Sequence, residues 1–517
     1  MRKSILVLSA GLLSLSTFAQ VPEDALRMSL FTPNGTARSQ AIGGAIGALG
    51  GDISSNFVNP AGIGLFKTSE IVFSPGFKFI TNDAGFRGSS SAEKSNGFVL
   101  GTSGLVMGMS DGMNRNRNTA FSLAVNRTAD FNNKILYRGQ NNFSSYSEAY
   151  ASEIAESGLT LDEALNSNSI SFPARMGLYT YLVDTLTSPG FGTEVVATPL
   201  RYAFQNDTAF MLNQENYIET SGGITELAIT FAGGTRDKIY YGGSLGLPIV
   251  NFEKNSVLSE TDASNNSNND FQEAILRERF TSKGFGLNLK AGIIYKPVEK
   301  LRLGFAFHTP TIYALKDTYD GTLETDLEGY NGISTVNVKE LNDGFLPEYE
   351  YDLSSPWRFI ASGAYVINEV ADVRKQKGFI SADIEYVTYG SSRFRNAEES
   401  TIEDEAFFTA VNGVVKDIYK GTINAKVGGE LKFNTIMARA GFSYYGSPYA
   451  DSELDGKRMF VSGGLGYRNK GFFIDLTYVH RITNDVNFPY RLSDKANTFA
   501  DLRGTGGNVI GTVGIKF

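Results

Sequence analysis

"GFISADIEYVTY", residues 378 to 389, alternates without a break. Ile380, Ala382, Ile384 and Tyr386 fall on one face of an extended chain, while Ser381, Asp383 and Glu385 fall on the other. That is period two, the spacing of a β-strand whose faces meet different surroundings. "KLRLGFAFH" (300–308) repeats it, with Leu301, Leu303, Phe305 and Phe307 opposing Arg302, Gly304, Ala306 and His308. So does "FFIDLTYVH" (472–480), where Phe472, Ile474, Leu476 and Tyr478 oppose Asp475 and Thr477. A soluble sandwich also alternates, so the period alone leaves open whether the apolar face meets a protein core or lipid.

The surroundings of these strands decide for lipid. Short turns, "YKPVEK" (295–300) and "YRNKG" (467–471), join strands at one side, and long polar loops such as 251–280 and 391–420 separate them at the other. This asymmetry is the membrane-barrel pattern. Lys290, Asp383, Glu385, Lys426 and Glu430 sit mid-strand on the polar face. A dry core would hold them at high cost, whereas a watery lumen would not. The chain ends on "GNVIGTVGIKF", with Val509, Val513, Ile515 and Phe517 alternating with Thr512, Gly514 and Lys516. A final strand closing on Phe517 resembles the assembly signal of bacterial outer-membrane barrels, which makes the barrel assembly machinery an expected partner. From residue 69 onward there are about fifteen strand segments, compatible with an even-stranded antiparallel barrel after one miscount. The first strand is expected near Ser69. Residues 144–167 break the pattern, since Tyr146, Tyr150, Ile154, Leu161 and Leu165 suit helical spacing, and they predict a helical excursion in a long loop over 140–220.

The composition of the 517 residues agrees: 56 Gly, 37 Phe and 25 Tyr, against 2 His and 1 Trp. No Cys is present, so disulfides contribute nothing. The net charge is −8 and the basic residues form no patch along the sequence, which argues against nucleic acid. Residues 1–19 carry Arg2 and Lys3, an apolar core from Ile5 to Leu15, and small residues Thr17 and Ala19, the features of a secretory signal peptide. The mature chain is expected to begin near Gln20. After this leader no apolar stretch approaches the 18 or so residues of a membrane helix.

"NGTARSQAIGGAIGALGGDISSNFVNPAGIGLF" (34–66) concentrates glycine in a small-residue run. Gly43, Gly44, Gly47, Gly50 and Gly51 match neither phosphate-loop spacing, and no Lys follows. Asn59-Pro60 ends the run, because proline biases the residue before it away from the helical region. On composition alone, a flexible linker is the alternative to a packed segment.

Taken together, the leader, the glycine run, "NPAG" and the alternating strands resemble the FadL-type family of outer-membrane transporters for long-chain fatty acids and aromatic hydrocarbons. Residues 35–66 carry the most specific part. "GAYVINEVADVRKQKGFISADIEYVTYGS" and "LKAGIIYKPVEKLRLGFAFHTPTIYALKDTY" look like the family's paired strands. The resemblance implies an all-β, transmembrane antiparallel barrel of about 14 strands over 67–517. It also implies an N-terminal plug over 20–66 that enters from the periplasmic side, with Gly43, Gly44, Gly47, Asn56, Asn59, Pro60 and Ala61 as plug and gating residues. Loops 140–220 and 391–420 depart from the family. The implied function is outer-membrane transport of hydrophobic compounds, long-chain fatty acids foremost, by capture in loops and lumen followed by plug rearrangement. Haem or other hydrophobic-ligand uptake, and a structural or adhesive barrel, are the alternatives. Outer-membrane lipids are expected partners. Burial alone would supply affinity for an acyl chain, at about 0.8 kcal/mol per CH₂. Strand parity points Lys290, Arg302 and Lys426 into the lumen, where a cation would hold a carboxylate.

Enzyme motifs lack their context. "GMSDG" (108–112) and "GGSLG" (242–246) match G-x-S-x-G, but a nucleophile elbow joins a strand to a helix. Ser244 lies inside an alternating strand, and Ser110 is expected in a loop. His308 and His480, expected near strand ends, read as wall residues. Glu398, Glu399, Glu403, Asp404 and Glu405 lack EF-hand spacing and read as a solvated loop face. No catalytic residue, metal or cofactor is expected.

Overall fold

The computed structural model describes residues 22–110, 117–187, 194–206, 209–264, 266–367, 377–397 and 402–517. The expected signal peptide (1–19) and Glu398 and Glu399 lie outside the described residues, as do the side chains of Ser110, Glu403 and Asp404.

The stretch 378–389 shows why a closed sheet forms. Ile380 and Ile384 are each 58% exposed, whereas Ser381, Asp383 and Glu385 are each 1% exposed. Greasy side chains point outward and charges point inward, the reverse of a water-soluble core. A surface of this kind is stable only against lipid.

The 14 strands are antiparallel and form a closed barrel. They are β1 (Glu70–Phe73 and Pro75–Phe86), β2 (Ser89–Leu100 and Ser103–Ser110), β3 (Arg117–Asp130 and Asn133–Asn141), β4 (Leu212–Thr235), β5 (Ile239–Asp262) and β6 (Glu273–Val298). β7 (Leu301–His308 and Ile312–Asp326), β8 (Glu348–Ser354 and Arg358–Ile367), β9 (Gly378–Thr388 and Arg393–Asn396) and β10 (Gly421–Phe433) follow. β11 (Ile436–Tyr445), β12 (Arg458–Asn469), β13 (Phe472–Asn487) and β14 (Ala500–Lys516) complete the wall. β14 closes on β1, with Val513 opposite Phe73 and Ile510 opposite Gly76. The backbones of Ser69 and Phe517 exchange two hydrogen bonds of 3.0 Å at the seam.

β4, β5 and β6 run 24, 24 and 26 residues, more than twice the roughly 9–11 that cross a bilayer. On β5 the outward face is apolar at Ile239, Tyr241 and Ile249 and turns polar at Asn251, Glu253 and Asn255, so the upper half stands outside the membrane. This corrects the expected loop over 251–280, which is largely strand. The polar outward residues that suggested a loop are the wall of a barrel extension in water. Residues 391–420 are likewise no irregular loop, since they hold strand Arg393–Asn396 and helix Ile402–Ile418. The excursion over 140–220 carries helices Ser147–Ser157, Leu161–Asn166, Phe172–Tyr179 and Pro199–Asn206. These cover a core of Tyr146, Met176, Leu182, Leu200, Phe210 and Phe271 above the barrel.

Candidate functional site: the lumen and its N-terminal segment

Residues 22–66 fill the lumen over its height. Helix Pro22–Arg27 lies at the extracellular end, where Ala25, Leu26 and Met28 pack with Phe407, Val411 and Val415 of helix Ile402–Ile418. The chain then descends and leaves at the periplasmic end, where Phe66 leads into β1. The segment therefore reaches the extracellular mouth as well as the periplasmic end. The apolar face of Ala25, Leu26 and Met28 is buried between the roofing helix Ile402–Ile418 and wall residues such as Val250, Tyr313 and Leu353.

The middle of the segment seats in glycine sockets. Gly428 and Gly441 are direct cross-strand partners on β10 and β11. A Cβ on Gly428 would stand 2.6 Å from the Ile42 carbonyl carbon. Gly242 and Gly292 are paired in the same way on β5 and β6. A Cβ on Gly242 would stand 2.5 Å from the Pro60 carbonyl oxygen. Paired glycines leave a dent in the wall, and plug backbone occupies it. On the plug side, Gly43 has φ +66°, and a Cβ there would stand 2.7 Å from the Phe442 carbonyl oxygen. Both the sign of φ and the close approach require glycine. A Cβ on Gly44 (φ +74°) would meet only the Lys426 side chain, at 3.9 Å. Gly44 thus serves the turn and does not press on the wall.

Hydrogen bonds complete the seating. The Gly47 amide donates to Asp383 Oδ2 (3.0 Å), and the Ala37 amide donates to Thr512 Oγ1 (2.7 Å). Asn56 Nδ2 donates to Ser122 Oγ (3.0 Å). Asn59 Nδ2 donates to the carbonyls of Gly47 (2.6 Å) and Ile293 (3.3 Å), while its Oδ1 accepts from the Ala61 amide (3.1 Å) and caps the turn Pro60–Leu65. Ala61 packs with Tyr240 and Ile294 of the wall. The Arg302 guanidinium donates to the Leu49 carbonyl (2.7 Å). Arg302 therefore grips the plug.

Lys290 and Lys426 line one small cavity between the plug and the wall, of about 80 Å³, with Phe31, Phe57, Val58 and Tyr445 on its apolar side. Lys290 is ion-paired with Glu226 and donates to Asn288 Oδ1 (2.6 Å). Lys426 pairs with Glu385 at 2.9 Å, and Arg358 pairs with the same carboxylate. The Arg358 guanidinium also lies 3.9 Å over the Phe31 ring. The sequence analysis passed over Arg358, yet its parity with Ile360 and Ser362 on β8 carries the same signal that marked Lys290. His308 Nε2 donates to the Val58 carbonyl at 2.9 Å. His480 lies mid-strand on β13, not near a strand end, and its Nδ1 lies 3.2 Å from the outward Tyr478 hydroxyl. The two histidines thus belong to opposite faces of the wall. Ser244 is buried mid-strand on β5, and the backbone of Ser110 ends the second segment of β2 instead of lying in a loop. Ser244 does not occupy a strand-to-helix turn.

No protein-family model and no curated protein sequence matches the chain. Solved structures do. The chain is similar to a Pseudomonas aeruginosa FadL homologue at 14% identity, covering 95% of this chain and 99% of that one, with a TM-score of 0.53. It is similar to the P. putida toluene transporter TodX at 14% identity, covering 94% and 99%, with a TM-score of 0.50. The fold is that of a FadL-type barrel of the bacterial outer membrane.

Proposed function

We propose that the protein carries hydrophobic compounds across the outer membrane, and that long-chain fatty acids are the class it serves. The observation that carries the reading is the cavity between plug and wall, which Phe31, Phe57 and Tyr445 line together with Arg358 and Lys426, the two cations sharing one carboxylate, Glu385. An acyl chain would bury its methylenes against the rings. Its carboxylate would compete with Glu385 for the two cations.

The cavity, at about 80 Å³, is smaller than a cavity of roughly 150 Å³ that holds benzene. A ligand therefore enters only as the plug or the roofing helix shifts. At the mouth it first meets the apolar cluster formed by the N-terminal helix and helix Ile402–Ile418. Passage below requires the plug backbone to leave at least one glycine socket. The toluene transporter in the structural comparison supports hydrophobic cargo in general, and the paired cations favour an acidic headgroup over a bare hydrocarbon.

Mass spectrometry of organic extracts of the purified protein tests this. Fatty acids should co-purify with the wild type and decline in Lys426→Met/Arg358→Met. Extracts with no hydrophobic compound above the level of an unrelated barrel would contradict the transport reading.

A further inference from the structure

The sequence shows no basic patch, but folding gathers one. Arg117, Arg236, Lys238, Lys300, Lys377 and Lys470 all lie at the periplasmic rim, at the start of β3, in the β4–β5, β6–β7 and β12–β13 turns, and just before β9. All six are exposed, and none has an ion-pair partner among the described residues. Among the described residues, the exposed acids of the same turns are Asp237 and Glu299. Asp237 is already shared by Lys67 (3.6 Å) and Lys296 (3.4 Å). Acidic stretches lie at the opposite end. In the β11–β12 loop, for example, Asp451, Glu453 and Asp455 stand against Lys457. A chain of net charge −8 therefore carries its surplus of positive charge at one rim.

We propose that this rim binds the anionic headgroups of phospholipids in the periplasmic leaflet. The reading rests on the barrel spanning a bilayer and not on what it carries. Three observations favour lipid over an acidic protein. The cations are spread around the circumference, as a surrounding leaflet requires and a one-sided docking partner does not. They lie within a few residues of outward apolar side chains, among them Ile239, Val298 and Phe472, at the depth where headgroups sit. Aromatic residues Tyr241, Tyr295 and Phe433 are exposed at the same level, the composition of a membrane interface. Lysine and arginine stems lie along apolar surface while their heads reach phosphate.

The test uses the full protein in nanodiscs of mixed phosphatidylglycerol and phosphatidylethanolamine, with retained lipids counted by native mass spectrometry. Wild type should retain phosphatidylglycerol over phosphatidylethanolamine by roughly fivefold for each cation engaged. The preference should shrink as salt rises. Arg117→Gln, Arg236→Gln, Lys238→Gln, Lys300→Gln, Lys377→Gln and Lys470→Gln together should abolish it. Arg138→Gln/Arg277→Gln should keep it, because these outer-wall cations face Glu215 and Glu324. Soluble glycerol phosphate should not displace the lipid. A wild type without the preference, a preference indifferent to salt, or displacement by glycerol phosphate would each overturn the proposal. So would retention of an acidic protein at the rim in place of lipid.

Discussion

The amide nitrogen of Gly43 occupies the space that a side chain on Gly441 would need. Plug and wall are thus fitted at the level of backbone, and the fit is testable from either side. Gly441→Val, on the wall, should unseat the plug as effectively as Gly43→Val, at about 1–3 kcal/mol of overpacking. Gly44→Ala should cost only about 1–2 kcal/mol of left-handed backbone and leave the seat intact. Single-channel conductance reads the difference: both valine variants should conduct more than wild type and Gly44→Ala should not. Equal conductance in all of them would remove the sockets from the account.

Arg302 and Asn59 fasten the plug where the sequence alone suggested a ligand cation and a turn. Arg302→Met should free the Leu49 carbonyl and weaken the plug by about 1–3 kcal/mol, with fatty-acid retention unchanged. Asn59→Ala removes bonds to Gly47, Ile293 and Ala61, so its effect should be larger. Protease cleavage within 34–58 of the folded barrel measures both. Loss of fatty-acid retention in Arg302→Met, with the plug protected, would return Arg302 to the ligand.

The barrel was legible from the sequence because a lipid-facing wall writes its two environments into alternate residues, as Ile384 and Glu385 show. Sequence parity also turned Lys290 and Lys426 inward correctly. What stayed hidden was partnership. Glu226, 64 residues from Lys290, meets it across two strand pairings that no local pattern reveals. The sockets left a trace in Gly242, Gly292, Gly428 and Gly441, inward-facing mid-strand glycines, but their match to Pro60 and Ile42 depends on the path of the plug. The loop over 251–280 was misread because a wall standing in water is polar on its outward face, at Asn251, Glu253 and Asn255, and so lacks the apolar outward stripe of the membrane segment.

Ser244→Ala, alone or with Ser110→Ala, should leave uptake of hydrophobic compounds unchanged within error. Ser244 sits in a continuous strand and not at a nucleophile elbow. Fatty-acid uptake by cells expressing the double variant checks this, with heat-modifiable migration as the folding control. A folded double variant with uptake reduced tenfold would give the serines a nucleophilic role.

Glu260, in the extension of β5 above the membrane, anchors the loop helices by accepting from the Tyr146 amide (3.2 Å), Ser145 and Gln214. Burial pushes its carboxyl up to about 7. A carboxyl raised on folding contributes stability that is complete below its ordinary value near 4.5 and is lost as pH rises through about 7. Hydrogen exchange of residues 145–157, corrected for intrinsic rate, should therefore show more opening at pH 8 than at pH 6. Glu260→Gln should flatten that dependence. Opening that decreases with pH would contradict the assignment.

Deletion of residues 22–58 tests the central claim, that a closed barrel is sealed by its own N-terminal segment, most directly. The wall strands and the Ser69–Phe517 seam are untouched, so the variant should assemble and migrate differently before and after boiling. In planar bilayers its ion conductance should exceed that of wild type severalfold, and transport of hydrophobic ligand should lose its control. An assembled variant that conducts no more than wild type and transports equally well would contradict the account.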